Sequence, residues 1–128
     1  MLDFIFHCAP QRYDLSVLQQ MPNHPERWQA TRFRREMHPR DGVYFYMSGQ
    51  KAGIYGCGRI SASPDEETRS VSVQWLSLYP APVTKSELEP LLSENLLFTV
   101  RVGTNFLLSA KESADLRALI SSKKLLVP

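Results

Sequence analysis

The first apolar run comes at once. Leu2-Asp3-Phe4-Ile5-Phe6-His7 carries bulky hydrophobic side chains at four of its positions and predicts a β-strand that enters the core immediately. Asp14 is placed to cap a short helix that brings Leu15, Val17 and Leu18 towards the core. Pro22-Asn23-His24-Pro25 ends it, and Glu26 to Met37 reads as a second, arginine-rich helical segment. Arg40-Asp41-Gly42 is a turn. Val43-Tyr44-Phe45-Tyr46-Met47-Ser48 follows as a nearly continuous run of β-formers, which predicts a central strand buried on both faces. Gly49 to Gly53 makes the return, and Ile54 to Ser61 is the partner strand. Gly56 and Gly58 within it predict a bulge or a close approach by another backbone or a ligand. From Arg69 to Leu78 the pattern alternates, with Val71, Val73 and Trp75 on one side and Ser72 and Gln74 on the other. That is a half-exposed antiparallel strand.

Two later helices are announced by capping boxes, Thr84-Lys85-Ser86-Glu87 and Ser109-Ala110-Lys111-Glu112, the second ahead of Leu116, Leu119 and Ile120. Between them Leu97 to Val102 and Phe106 to Leu108 read as short strands around a Gly103-Thr104-Asn105 turn. The order is one strand, two helices, three strands, a helix, two strands and a helix. It predicts an α+β domain built on a strongly curved sheet or small barrel flanked by helices, not a doubly wound parallel sheet. No repeat, low-complexity stretch or linker divides residues 1–128, so the expectation is a single domain.

Composition narrows the class only modestly. Hydrophobic residues make up 43% and charged residues 22%, ordinary for a soluble globular chain. The apolar stretches fall short of the roughly 20 residues that span a bilayer, and the N-terminus has no signal-peptide pattern. Cys8 and Cys57 read as free thiols of a reducing cytoplasm. With His7, His24 and His38 they show no metal-ligand spacing, and nothing calls for a cofactor. The net charge is only +2, but Glu26 to Arg40 holds Arg27, Arg32, Arg34, Arg35 and Arg40 against Glu26 and Glu36, with Trp28 and Phe33 interleaved. Such a patch suits a phosphate backbone with stacking faces for bases. It equally describes a solvated helix face over a buried Trp and Phe.

Catalytic patterns are missing. The chain has no GxxxxGK[ST] loop, no GxGxxG opening a helix, no HExxH and no GxSxG. Gly53-Ile54-Tyr55-Gly56-Cys57-Gly58 lies within a strand pair. His7 and Cys8 are adjacent on a strand, so their side chains point to opposite faces and cannot readily share a proton. Asp41 reads as a turn residue. The reading is of a chain that binds and is not an enzyme.

Several segments in order resemble the EVE domain family of the PUA-like superfamily, related to YTH domains. Tyr13-Asp14-Leu15-Ser16-Val17-Leu18 after a strand and Pro10 is similar to its opening. Trp28-Gln29-Ala30-Thr31-Arg32-Phe33-Arg34-Arg35-Glu36-Met37 resembles its aromatic-Gln-Ala-Arg-Asn segment. Asp41, then Val43 to Ser48, matches its Gly-Asp-x-Val-Phe-Phe-Tyr-x-Ser strand, and Gly53-Ile54-Tyr55-Gly56 its Gly-Ile-x-Gly. Pro82-Val83-Thr84 and Phe106-Leu107-Leu108-Ser109 fall in register, so the resemblance covers nearly the whole chain. Three departures stand out. Thr31, Arg32 and Phe33 replace Arg-Asn-Asn, Cys8-Ala9-Pro10 replaces Ser-Glu-Pro, and the family's separate upstream Trp has no counterpart.

The resemblance implies a reader of a modified base, methylated or hydroxymethylated cytosine or methyladenine, flipped into an aromatic pocket. It implies modified DNA as partner ahead of RNA, and a specificity module of a modification-dependent restriction system beside a nuclease or NTPase domain of a longer protein. The expected pocket residues are Trp28, Phe33, Tyr46, Ser48, Trp75 and Asn105, with Arg32, Arg34 and Arg35 on the backbone. Each also has a plain packing reading: core for the aromatics, a turn for Ser48 and Asn105. A tRNA- or rRNA-binding module and a protein-interaction domain are the competing functions.

Overall fold

The computed structural model describes residues 1–8, 25–99 and 103–128. The expected helix after Asp14 lies outside the described residues. A six-stranded sheet runs in the order β2-β5-β4-β3-β1-β6. Its strands are β1 (Asp3–Cys8), β2 (Pro25–Gln29), β3 (Gly42–Met47), β4 (Gly53–Ile60), β5 (Ser70–Thr84) and β6 (Asn105–Leu107). The β1–β3 pair is parallel and the other pairs are antiparallel. Three helices follow β5: α1 (Lys85–Leu92), α2 (Leu96–Thr99) and α3 (Ala110–Ser122). This is an α+β fold built on a curled half-barrel sheet.

Strand alternation sorts the core into two layers. Phe4, Phe6 and Cys8 of β1 share one face with Val43, Phe45 and Met47 of β3, and with Trp28, Val71, Val73 and Trp75. On this face the curled sheet packs on itself. Ile5 shares the other with Tyr44, Tyr46, Ile54, Tyr79 and Val83, covered by Leu88 and Leu92 of α1 and Leu116 and Ile120 of α3. Both predicted capping boxes form, with Thr84 and Ser109 as N-caps. Gly56 and Gly58 allow the close approach expected of them. A methyl at either would fall 2.4 Å or 2.3 Å from a β5 carbonyl oxygen, with the Trp75 and Phe45 rings also in the way.

Two expected elements take another form. Glu26 to Met37 is not a helix. It is β2, paired from Pro25↔Gln74 to Gln29↔Ser70, followed by a single 3₁₀ turn at Arg34–Glu36. Trp28, Ala30 and Met37 are buried while Arg27 and Gln29 are exposed, so pairing with β5 overrides the helix preference of Glu, Arg and Gln. Phe33 then takes a left-handed backbone, with φ 58°, which stops further extension. The strand expected from Leu97 is also absent. Asn95 accepts from Leu97 N at 3.0 Å and caps a single helical turn, α2, while residues 100–102 lie outside the described residues.

Candidate nucleic-acid interface

The C-terminal end of β3 meets the end of β1, the start of α1 and α2 around a cavity of about 350 Å³. Tyr46, Ser48, His7, Lys85, Phe98 and Phe106 line it, with Leu97 and Gly103 completing the wall. Its volume lies near the lower end of the roughly 300–1,000 Å³ usual for ligand pockets. The His7 and Tyr46 rings lie 5.9 Å apart, and Phe98 meets Tyr46 edge-on at 6.0 Å. Lys85 Nζ lies 5.9 Å from the Phe98 ring centre, within cation–π reach. Its ion pair with Glu89 is long, at 3.8 Å, and exposed, which leaves the ammonium free to be recruited. Burial, and then the Glu89 carboxylate, push the Tyr46 phenol above its ordinary value, so it stays a protonated donor. His7 Nδ1 lies 3.4 Å from the Gly103 carbonyl oxygen, which can only accept. In the neutral ring that contact puts the proton on Nδ1 and leaves Nε2 as acceptor.

Of the expected pocket residues, the fold brings Tyr46 and Ser48 together and sends the others elsewhere. Trp28 and Trp75 do not line this cavity. They lie in the opposite layer, Trp75 stacked on Phe45 at 3.7 Å and Trp28 at 5.3 Å from the same ring. Trp75 Nε1 donates to Glu26 Oε2 at 2.8 Å. Phe45 and Tyr46 point to opposite faces, so no base held against Tyr46 can touch either indole. Phe33 packs against that same aromatic layer and borders a different, larger cavity of about 580 Å³ beneath α1 and α2. That cavity is edged by Glu94 and Glu112 against Lys111, a net negative lining that does not suit a phosphate partner. Asn105 is fully buried and lines neither the Tyr46 cavity nor the larger one. Its Nδ2 donates to Gln29 O at 2.9 Å, and its Oδ1 accepts from Thr31 N at 3.0 Å and, more weakly, from Arg32 N at 3.5 Å.

The three arginines separate likewise. Arg34 is committed to Glu66 at 3.1 Å and to the Ala30 carbonyl, and Arg35 is exposed on the 3₁₀ turn. Arg32 does not line the Tyr46 cavity, but alone of the three it lies beside Gly103, one of the wall residues. A methyl placed on Gly103 would lie 3.3 Å from Arg32 Nη1 and from the Phe106 ring, so the guanidinium packs close to the bare backbone of Gly103. His7, Lys85, Phe98 and Phe106 were missed by the sequence reading. His7 alone left a trace, since a residue between Phe6 and Cys8 on a strand must face away from both. That same alternation separates His7 from Cys8, whose thiol is pushed up to about 12 by burial and by the Glu26 carboxylate.

The family model of the EVE domain matches residues 4–120. Solved structures share the fold at low identity. A hypothetical protein from Leishmania major aligns at 18% identity over 97% of each chain, with a TM-score of 0.75. The human THYN1 protein, solved in complex with 5-methylcytosine-containing DNA, aligns at 17% identity over 93% of this chain and 97% of its own, with a TM-score of 0.74. A protein from Agrobacterium tumefaciens aligns at 17% identity over 93% and 92%, with a TM-score of 0.75. No curated protein matches the chain at a significant level. Among the described residues no helix is long and apolar enough to cross a membrane.

Proposed function

The chain belongs to the EVE domain family, and on that premise we propose that it binds DNA and reads a modified base turned out of the duplex into the Tyr46 cavity. The observation that carries this is a small aromatic-walled cavity with one cation, Lys85, in its lining over Phe98 and a second, Arg32, next to its wall residue Gly103. A flipped base needs a stacking face, a few edge hydrogen bonds and positive charge outside to hold its phosphates. Tyr46 supplies the face. The Ser48 hydroxyl and His7 supply edge contacts, and Arg32 and Lys85 the charge. The human THYN1 complex supports DNA as the partner class.

The base is a modified one, methylated or hydroxymethylated cytosine or methyladenine, because an apolar wall rewards a methyl by about 0.8 kcal/mol. In this reading the domain serves as the specificity module of a modification-dependent restriction system, next to a nuclease or NTPase domain, in the cytoplasm. It does no chemistry. The two groups that would make a nucleophile pair, His7 and Cys8, face opposite layers, and the thiol is held protonated.

Competition binding tests the partner class. Duplexes carrying one unmodified, 5-methylated, 5-hydroxymethylated or N6-methylated base are measured against the matched RNA at one stated salt concentration. A modified DNA duplex is expected to bind most tightly. Tighter binding to the RNA would move the chain to the tRNA or rRNA reading, and no binding to any oligonucleotide would favour a protein-interaction domain.

A further inference from the structure

The two edges of the sheet, β2 and β6, are tied by one side chain. Asn105 sits on β6, and its amide spans to the end of β2, donating to Gln29 O and accepting from the amides of Thr31 and Arg32. The Asn105 side chain is fully buried, and the three bonds it makes are part-buried. The segment it grips continues directly into Arg32, whose guanidinium rests against Gly103, two residues before Asn105 itself. Gly103 has φ +132°, a backbone that side-chain-bearing residues rarely adopt, so the chain there bends to bring its bare α-carbon under the guanidinium. Asn105 and Gly103 thus clamp Arg32 from both ends, at its backbone amide and at its charged tip.

We propose that Asn105 is the positioning residue for the Arg32 phosphate contact, closing the curled sheet so that the guanidinium is held against Gly103, beside the cavity, before DNA arrives. The inference rests on the DNA-binding reading above. A long arginine side chain is costly to immobilise, and a pre-ordered one loses less freedom when it meets a phosphate. Asn105 touches no nucleic acid. Its effect is expected through Arg32 alone.

The test measures DNA affinity against salt for the parent, Arg32→Ala, Asn105→Ala and the double variant, with melting recorded for each. Asn105→Ser, a milder change whose hydroxyl falls short of both edges, replaces Asn105→Ala should the latter not fold. The folded Asn105 variant is expected to flatten the slope of log affinity on log salt by about one unit, as Arg32→Ala does, with no further change in the double variant. A parent-like slope in the folded Asn105 variant, or slopes that add in the double, would overturn the proposal. If the parent binds no DNA, the DNA reading itself fails. The positioning claim is then judged by the NMR order parameter of the Arg32 side chain, which must fall in the Asn105 variant. An unchanged value overturns it.

Discussion

Phe45 and Tyr46 are consecutive in β3, yet they belong to different layers of the protein: Phe45 stacks on Trp75, and Tyr46 faces His7 and Phe98 at the cavity. The pleat of one strand therefore divides the aromatic residues into a set packed in the core with the indoles and a set gathered at the cavity. The β-bulge in the pairing with β4 falls between these same two residues, where Phe45 pairs with Gly56 and Tyr46 with Ile54.

That division predicts opposite phenotypes for two aromatic substitutions. Trp75→Ala removes a fully buried indole and its bond to Glu26, and is expected to cost about 3–5 kcal/mol of stability. The fraction that remains folded should keep the parent's preference among bases. Urea melts with affinity measured on the same samples check both halves. A stable Trp75→Ala protein with altered base preference would return the indole to the pocket.

The arginines should divide by salt dependence. Lys85→Gln and Arg32→Ala are each expected to lower the salt slope by about one unit. Arg34→Ala should leave it unchanged, because its guanidinium is already held by Glu66 and the Ala30 carbonyl. Titrations of one duplex at several salt concentrations separate the three.

Asp3 is 3% exposed and is held by Arg117 through two bonds, Nε to Oδ2 at 2.8 Å and Nη2 to Oδ1 at 2.7 Å, with Ser113 Oγ also donating. Arg117→Ala leaves a buried carboxylate without its cation, a change expected to cost about 3–5 kcal/mol. For a domain of this size the melting temperature should fall by roughly 10 °C or more. None of these residues lines the Tyr46 cavity, so DNA preference should not change.

Alkaline pH should destabilise the protein through its buried acids. Burial raises Cys8 to about 12 and also raises Cys57, Tyr44 and Tyr79. Above their ordinary values the unfolded chain releases protons that the native state keeps, so stability falls as pH rises, by up to about 1.4 kcal/mol per pH unit for each group. For Cys8 the window opens near its ordinary value of 9.0 and closes near 12. Cys8→Ala is expected to reduce the slope of stability against pH in that window, measured by urea melts. Both thiols are buried and free, so labelling of the native protein should be slow.

What the sequence discloses depends on how local each signal is. Strands β1, β3 and β4 and the caps at Thr84 and Ser109 are written in adjacent residues, and they form as expected. Tyr46 and Ser48 could be singled out because both lie in one strand motif. The fate of Trp28 was illegible, since whether Glu26–Met37 becomes helix or strand is decided by pairing with β5, more than forty residues on. Asn105 was misread for the same reason. A Gly-Thr-Asn run signals a turn, while its bonds to residues 29–32 exist only once the sheet has curled. Lys85 looked like a helix-start residue and is one, but only the packing of α2 brings Phe98 beneath its ammonium.

The most direct measurement compares one duplex with a single 5-methylcytosine and its unmodified twin, bound by the parent and by Tyr46→Leu at the same salt concentration. The parent is expected to prefer the methylated duplex by several-fold, in line with about 0.8 kcal/mol for a buried methyl. Tyr46→Leu should lose that preference, its affinity for the methylated duplex falling by about 0.8 kcal/mol to that of the unmodified duplex, which rests on Arg32 and Lys85 and stays close to the parent's. A folded Tyr46→Leu protein that keeps the parent's affinity and preference for the methylated duplex would contradict the assignment of this cavity as the base pocket.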